Sequence, residues 1–340
     1  MKPLILATTS LLAFTTWLFL SGCTCGFDCS SDDDDPSRSV PFDLALSGAL
    51  LEGVKEVVIE VEAITLTRSA EDGGNVVIDE FTLDANAPVD SFTINLLEYA
   101  GEASLPVIDG FSVSAGDYNS VQLSLSSITG DSYVLREDDQ RFDLLVTNNR
   151  LSLAGVRLTE DDESYTVKFE LARALTFESA NENYRLSDDG VRVVDNTRDA
   201  RIIGVVEEAL LDAAQSCADK DNPDTFNRVY LYQGRDLDAA SLADVFRSNS
   251  GPEIPDGALA PYAVDRVTGD SRTGVWAYAL AYLPPGDYTL AFTCNSEDDD
   301  ALDYDGLVIP LPQEQRYELT LSSNEVATCN LAVSAECIDD

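Results

Sequence analysis

Alternation of apolar and polar residues constrains this chain more than any other feature of its sequence. In EVVIEVEAITLT, residues 56–67, the apolar side chains of Val57, Ile59 and Val61 recur at every second position. Period two places these side chains on one face of a β-strand. After residue 63 the apolar positions move to Ile64 and Leu66, and this slip of one residue predicts a β-bulge.

The same pattern predicts short strands throughout the chain, separated by Gly, Asn and Asp turns. These segments are residues 75–83, 91–96, 121–125, 133–136, 141–146, 167–171, 201–206, 228–232, 274–282, 288–294, 307–311, 317–321 and 327–333. Helical periodicity is confined to residues 207–218 and 236–247. We therefore predict an all-β fold of two β-sandwich domains, immunoglobulin-like or prealbumin-like, after a signal peptide and an acidic tether.

The pattern breaks at NTRDAR, residues 196–201, and we predict the domain boundary there. The N-terminal β-sandwich domain is assigned residues 40–198. The C-terminal β-sandwich domain is assigned residues 199–340 and contains a short helical insertion.

A Gly-Asp-Tyr turn opens one strand in each half. Gly116 and Gly286 are predicted to supply the positive φ that such a turn favours, and Tyr118 and Tyr288 to begin the packing of the strand. The flanking sequences do not repeat. Two similar turns are therefore favoured over a duplicated domain.

The N-terminus predicts export. An uncharged apolar run over residues 3–20 precedes Leu-Ser-Gly-Cys, which resembles the lipobox of bacterial lipoproteins. The resemblance implies a lipoprotein signal peptide (residues 1–22), lipid attachment at Cys23, and a lipidated acidic tether (residues 23–39). Thr24 after the lipidated cysteine implies sorting to the outer membrane. The alternative is an ordinary signal peptide with Cys23 in a disulfide.

Six further cysteines remain, an even number suited to an oxidising compartment. Spacing favours Cys25–Cys29 and Cys329–Cys337 as short loops, which leaves Cys217 to pair with Cys294. The alternative is that some of these cysteines are free.

The net charge is −41, from 62 acidic and 21 basic residues. Such a field repels phosphate groups and anionic headgroups, so we expect no nucleic-acid partner. The expected partners are the membrane, through the lipid anchor, and an envelope protein or a glycan.

Several segments resemble, in order, the bacterial lipoprotein family known as domain of unknown function 4382. They are residues 41–68, 91–127, 132–146, 167–175 and 184–195. This resemblance covers residues 41 to about 196, with SGALLEG in place of the Asp-Ala-Pro turn usual in the family. VYLYQGRDL and LAYLPPGDYTLAFTC, in the second half, are similar to prealbumin-like and carboxypeptidase-regulatory-like β-domains. The resemblance implies a fold and a cell-envelope location, and no activity.

The chain contains no histidine, which excludes Ser/His/Asp and Cys/His nucleophilic sites and every histidine metal site. A glycosidase needs only two carboxyl groups, but 62 acidic residues make any such pair unspecific. We therefore expect a non-enzymatic binding, adhesion or structural module. The alternative is a glycan-binding or carbohydrate-active protein that uses carboxylates and an aromatic row.

Two acidic loops predict a calcium site, because calcium prefers six to eight oxygen ligands. The candidate ligands are Asp219, Asp221, Asp224, Asp298, Asp299, Asp300, Asp303 and Asp305. Each loop follows one of the cysteines predicted to pair with each other, so that disulfide would hold the loops side by side. The alternative is a pair of solvated edges on an acidic protein.

Trp276, Tyr278 and Tyr282 lie at even spacing in one predicted strand and therefore face one side of the sheet. An exposed row would form a platform for a sugar. A row that faces the sandwich core has the same sequence pattern, and this alternative is favoured.

Overall fold

The alternating segments form β-strands in the computed structural model, which describes residues 38–68, 73–83, 87–159, 163–247, 252–270, 272–334 and 337–338. The predicted signal peptide, the lipidated cysteine Cys23 and the pair Cys25–Cys29 lie outside the described residues. Within the described part of the chain, no helix is both long and apolar enough to cross a membrane.

Two packed sheets make up the first half of the chain. Its strands are β1 Ser39–Ser47, β2 Val54–Thr67, β3 Val76–Ile78, β4 Phe92–Asn95, β5 Leu105–Ser114, β6 Gly116–Leu125, β7 Tyr133–Arg136, β8 Arg141–Val146, β9 Arg150–Leu158, β10 Ser164–Phe169, β11 Leu175–Glu178, β12 Asn183–Leu186 and β13 Val191–Asp195. The smaller sheet has the order β13-β10-β1-β5, and the larger has the order β11-β12-β8-β7-β2-β6-β9, with β3 and β4 also paired to β2.

The apolar faces of these two sheets share one core. Phe42 and Leu44 of β1 and Ile59 and Ile64 of β2 belong to the same hydrophobic cluster, and each is at most 2% exposed. Removal of this apolar surface from water is the main force that holds the two sheets together. The first half is therefore a β-sandwich.

The second half also consists of two sheets packed around an apolar core, and these sheets have fewer strands in total. Its strands are β14 Ala200–Val206, β15 Arg228–Gln233, β16 Ala263–Arg266, β17 Thr268–Asp270, β18 Val275–Leu283, β19 Gly286–Thr293, β20 Arg316–Leu321, β21 Val326–Thr328, β22 Asn330–Leu331 and β23 Cys337–Ile338. One sheet has the order β17-β18-β14-β22-β23, with β21 also paired to β14, and the other has the order β16-β15-β19-β20. Ile202, Trp276 and Phe292 pack in the core between these sheets. The all-β fold class predicted from the sequence is confirmed.

Strand β2 carries the predicted bulge. Its pairing with β6 shifts register between Val61 and Ala63, where the apolar positions change parity. The shift keeps Val61, Ile64 and Leu66 all buried against the core. The prediction of a β-bulge is confirmed.

The helix predicted over residues 236–247 is wrong. Only a single 3-10 turn forms there, Ala239–Ser241. After it, Leu242 forms a β-bridge with Leu259, and residues 244–246 form a bend. The Ala243 N–H donates to the Leu259 carbonyl at 2.9 Å, and the Leu259 N–H donates to the Ser241 carbonyl at 2.6 Å. Tertiary pairing has overridden a weak helical periodicity.

Other predicted elements are also shorter or absent. The strand predicted over residues 75–83 is reduced to β3, Val76–Ile78, and an isolated bridge at Phe81. In place of a helix over residues 207–218, the chain forms a 3-10 turn at Glu208–Leu210 and one α-helical turn, α2, Gln215–Ala218. An equally short helix in the first half, α1, spans Leu171–Ala174. Residues 307–311 form no strand, and only Leu311 bridges to β19. Proline at positions 310 and 312 removes the N–H donors that a ladder there would need.

Both Gly-Asp-Tyr segments begin a strand as predicted, β6 and β19. The Tyr118 hydroxyl donates to the carbonyl of Ser114 at 2.9 Å, and the Tyr288 hydroxyl donates to the carbonyl of Pro284 at 2.7 Å. Each tyrosine thus closes the turn four residues before it. Gly116 has the predicted positive φ, +129°, whereas Gly286 is not among the glycines with positive φ, so that part of the prediction is wrong.

Two disulfides are present in the second half, Cys217–Cys294 and Cys329–Cys337. Both pairings were predicted from spacing. The first joins residues 77 positions apart and ties the end of β19 to α2. The second joins residues only eight positions apart.

Charged side chains are buried where the two halves of the chain meet. Lys168, at the end of β10, is 4% exposed, and Glu170 is 2% exposed; Asp265 of β16 lines the same small cavity. Burial raises the pKa of Glu170 to about 7 and that of Asp265 to about 6, and it lowers the pKa of Lys168 to about 8. Burial therefore shifts the protonation equilibrium of each group toward its uncharged form, relative to the same group in water.

We expect Glu170→Gln to flatten the pH dependence of stability. The raised pKa of Glu170 means that its contribution is complete below its ordinary pKa of 4.5 and is lost as the pH rises through about 7. Between pH 5 and pH 8 the wild type should lose about 2 kcal/mol more unfolding free energy than the variant, measured by urea unfolding. Glu314→Gln, at an exposed glutamate, should follow the wild type. If the unfolding free energies of Glu170→Gln and the wild type change equally with pH, the prediction is contradicted.

We expect the two disulfides to stabilise the fold unequally. In the chain-entropy model, closing the longer loop contributes about 4.5 kcal/mol and closing the shorter loop about 2.5 kcal/mol. The matched double variants are Cys217→Ala/Cys294→Ala and Cys329→Ala/Cys337→Ala, compared by the unfolding free energy in urea. The variant without Cys217–Cys294 should have an unfolding free energy about 2 kcal/mol lower than the variant without Cys329–Cys337. Equal losses of unfolding free energy would argue against the loop-length effect.

Candidate functional site

A cleft of about 510 Å³ lies between the first half of the chain and the acidic loop that follows β19. Its volume is in the range of small-molecule sites. It is lined by Leu51, Glu52, Gly53, Val54, Arg136, Glu137, Phe177, Ser179, Tyr184, Phe226 and residues 297–303. We call it the acidic cleft, because its lining carries seven acidic side chains and one basic one.

One wall of the acidic cleft is aromatic and comes from the first half of the chain. Phe177 of β11 and Tyr184 of β12 face each other across paired strands, with ring centroids 4.9 Å apart. The guanidinium of Arg136, at the end of β7, lies 5.9 Å from the Phe177 ring centroid. The wall therefore combines an apolar surface with a positive charge held against it.

The opposite wall is the loop EDDDALD, residues 297–303. Backbone turns shape it, since the Asp299 N–H donates to the Ser296 carbonyl at 3.3 Å. The Asp300 carboxylate accepts from the Leu302 N–H at 2.9 Å, an interaction that favours a turn. The loop begins four residues after β19 ends, and the Cys217–Cys294 disulfide ties the chain between them.

Arg228 contacts two residues of the cleft lining, Glu52 and Asp299, and is 5% exposed. Its guanidinium donates to Glu52 of the first half at 3.3 Å, and its other terminal nitrogen donates to the Asp299 carboxylate of the acidic loop. The Asp299 side chain is 0% exposed. One buried cation thus joins the first half, β15 and the acidic loop.

Behind the loop, three carboxylates converge. One oxygen each from Asp244, Asp299 and Asp305 lies within 4.8 Å of the others. Backbone N–H groups of Gly306 and Leu307 donate to Oδ2 of Asp244, at 3.0 and 2.8 Å. We call these three residues the carboxylate cluster.

Crowding of negative charge is visible in the pKa values of the carboxylate cluster. Burial raises the pKa of Asp299 to about 7; Arg228 opposes this shift, and Asp305 and Asp244 add to it. Burial likewise raises the pKa of Asp244. A single arginine therefore does not compensate the negative charge that the cluster would carry when ionised.

The carboxylate cluster contains two of the eight predicted calcium ligands, Asp299 and Asp305. Asp298, Asp300 and Asp303 lie instead in the wall of the acidic cleft. In the other loop, Asp219 accepts from the Gln215 amide at 2.8 Å and Asp224 accepts from the Trp276 indole N–H at 3.1 Å. That loop, which also holds Asp221, contributes no carboxylate to the cluster in the described part of the chain.

The third member, Asp244, was not among the predicted ligands. The sequence placed it in a helix, 55 positions before Asp299. The segment instead forms a β-bridge between Leu242 and Leu259 and then bends, and the Asp244 carboxylate accepts from the Gly306 N–H. No local sequence signal marks such a contact.

The aromatic row is buried, Trp276 and Tyr278 in the core of the second sandwich and Tyr282 against Val194 of the first half. Trp276, Tyr278 and Tyr282 are 1%, 4% and 9% exposed. The Tyr278 hydroxyl donates to the Cys329 carbonyl at 2.7 Å, inside the second sandwich. The prediction of a sugar-binding platform on these side chains is wrong, because no open face remains for a sugar ring, and the core alternative is correct.

Comparison with known proteins identifies one family over part of the chain. Residues 40–187 match the family model described as "Domain of unknown function (DUF4382)". The match agrees with the resemblance predicted for residues 41 to about 196, and the resemblance of the second half remains a prediction. None of the curated proteins matches the sequence significantly.

Similar solved structures share little sequence with this chain. A leucine-rich repeat protein from Bacteroides thetaiotaomicron is 11% identical with a TM-score of 0.21, over 89% of this chain and 27% of that protein. A minor pilin of Streptococcus agalactiae is 10% identical with a TM-score of 0.18, over 88% of this chain and 97% of the pilin. A candidate cell adhesion protein from Bacteroides fragilis is 12% identical with a TM-score of 0.19, over 86% of this chain and 92% of that protein. Such TM-scores carry no argument about function.

We expect loss of Arg228 to destabilise the fold strongly. Arg228→Met leaves Asp299 and Glu52 without their buried cation, which should cost about 3 to 5 kcal/mol of unfolding free energy. The matched control is Arg201→Met, which removes the more exposed ion pair between Arg201 and Glu102 and should cost at most about 1 kcal/mol. Urea unfolding at neutral pH measures both, and similar costs would show that burial of the Arg228 pair is unimportant.

Proposed function

We propose that this protein is a non-enzymatic, lipid-anchored protein of the cell envelope that binds a positively charged ligand in the acidic cleft. The observation that carries the proposal is the cleft itself, which is lined by seven acidic residues, one basic residue and the aromatic rings of Phe177 and Tyr184; of the acidic residues, Asp299 is turned inward to Arg228. Such a surface attracts a cationic, partly apolar ligand such as a lysine-rich or arginine-rich peptide segment.

Location is the second part of the proposal. The lipobox around Cys23 supports a lipid anchor in the outer membrane, which leaves the residues after the tether free to meet other envelope components. Two disulfides in the second half suit an oxidising compartment. The match of residues 40–187 to a domain of unknown function adds no activity.

The geometry of the carboxylates favours binding over hydrolysis. A glycosidase needs two carboxyl groups about 5 to 9.5 Å apart, with room for the scissile bond between them. Here Asp244 and Asp299 belong to a cluster whose oxygens lie within 4.8 Å, and the two side chains are almost completely buried. A sugar cannot be placed between them, so the carboxylate-enzyme alternative has no site at this cluster.

We expect the acidic cleft to bind the peptide Lys-Lys-Phe-Lys-Lys but not Gln-Gln-Phe-Gln-Gln, measured by isothermal titration calorimetry on the full-length protein. The triple variant Glu137→Gln/Glu297→Gln/Asp298→Asn removes three exposed charges of the cleft. Each charge contributes about 0.5 kcal/mol, so the affinity should fall about tenfold.

The matched control removes three exposed acidic residues away from the cleft, by Asp188→Asn/Asp189→Asn/Glu314→Gln. This variant has the same net charge as the cleft variant, so it corrects for the general field of the protein. Its affinity for the lysine peptide should stay within about twofold of the wild type. Equal losses in the two triple variants, or no binding by the wild type, would reject the proposal.

A further inference from the structure

We propose that the carboxylate cluster of Asp244, Asp299 and Asp305 is a calcium site. This inference concerns a metal behind the acidic loop and does not depend on what the acidic cleft binds. The cluster joins the segment before residue 247 to the loop over residues 297–306, two parts of the chain that have no strand pairing with each other in the described residues.

The hydrogen bonds of the cluster leave one oxygen of each buried carboxylate unused. In Asp244, Oδ2 accepts two backbone N–H groups, and Oδ1 has no partner although the residue is 3% exposed. In Asp299, Oδ2 accepts from Arg228, and Oδ1 has no partner although the side chain is 0% exposed. Buried polar atoms without partners are rare in folded proteins, and a bound ion is one of the few explanations.

Asp305 supplies the third carboxylate from the solvent side. Its Oδ2 accepts from the Asp300 N–H at 3.0 Å, which orients the group toward the loop. The residue is exposed, so the cluster is open on this side. A cation can enter there, and water molecules can complete its coordination shell.

Charge favours a cation in this position. Arg228 is the cation paired with Asp299, and it is shared with Glu52. When ionised, the three cluster carboxylates and Glu52 carry four negative charges against that single positive charge. A buried carboxylate is costly unless it is paired or coordinates a metal, and a divalent cation would supply the missing positive charge.

The spacing of the oxygens suits calcium. Calcium binds oxygen at about 2.3 to 2.6 Å, so ligands on opposite sides of the ion lie up to about 5 Å apart. The cluster oxygens lie within 4.8 Å of one another, which falls inside that span. Calcium also tolerates irregular coordination, whereas magnesium requires near-ideal octahedral geometry and retains several of its water ligands. Bound calcium would hold residues 297–306 against Asp244 and so order one wall of the acidic cleft.

The test is thermal unfolding of the full-length protein after treatment with EDTA, in 1 mM calcium and in 1 mM magnesium at equal ionic strength. We expect calcium to raise the unfolding temperature by about 5 °C, the shift for a site filled to about one hundred times its dissociation constant, and magnesium to raise it much less. Equal shifts in the two salts would reduce the effect to screening of acidic side chains and would overturn the inference.

Matched variants locate the site. Asp305→Asn removes the exposed ligand, leaves both buried carboxylates in place, and should lower the calcium affinity at least tenfold in calorimetry. Asp298→Asn removes one charge from the same loop outside the cluster and should leave the affinity within about twofold of the wild type. If the two variants lose affinity equally, the calcium does not bind at the cluster. The lysine-peptide assay on the same variants without calcium separates this outcome from failure of the cleft proposal, because Asp305 does not line the cleft.

Discussion

The buried guanidinium of Arg228 holds together the parts of the molecule on which the candidate site depends. It donates to Glu52 of the first half and to Asp299 of the acidic loop, and it projects from β15 in the middle of the second half. A buried ion pair contributes little net free energy compared with an apolar core. Removal of one partner, however, leaves the other as an uncompensated buried charge, which is strongly destabilising. The pair therefore constrains where the acidic loop lies more than it stabilises the fold.

Covalent and electrostatic constraints act on the same loop from two ends. The Cys217–Cys294 disulfide limits where the loop begins, and the contacts of Asp244 with Gly306 and Leu307 limit where it ends. Between these points the loop concentrates acidic side chains that would repel one another in an unconstrained chain. The proposed calcium ion would act at this position, where the negative charge is densest and the buried oxygens lack partners.

Several features of the fold were predictable from the sequence because their causes are local. Strands β7 and β8 have the predicted ends, since alternation and the turn residues beside it act over a few positions. The bulge in β2 follows from the change of parity after Val61, and the two described disulfides follow from spacing in an oxidising compartment. The family resemblance over the first half belongs to the same class of local pattern.

By itself, then, the sequence determined the all-β class, the strand periodicity, the cysteine pairs and the acidic loop that supplies Asp299 and Asp305. Only the tertiary structure decided that Trp276, Tyr278 and Tyr282 are buried and that Asp244 joins the carboxylate cluster. An inward row and an outward row have the same period, so the pattern cannot say which face is covered. Asp244 reaches the cluster through backbone pairing with Leu259 and contacts some 60 residues away, and no local propensity encodes partners at that separation.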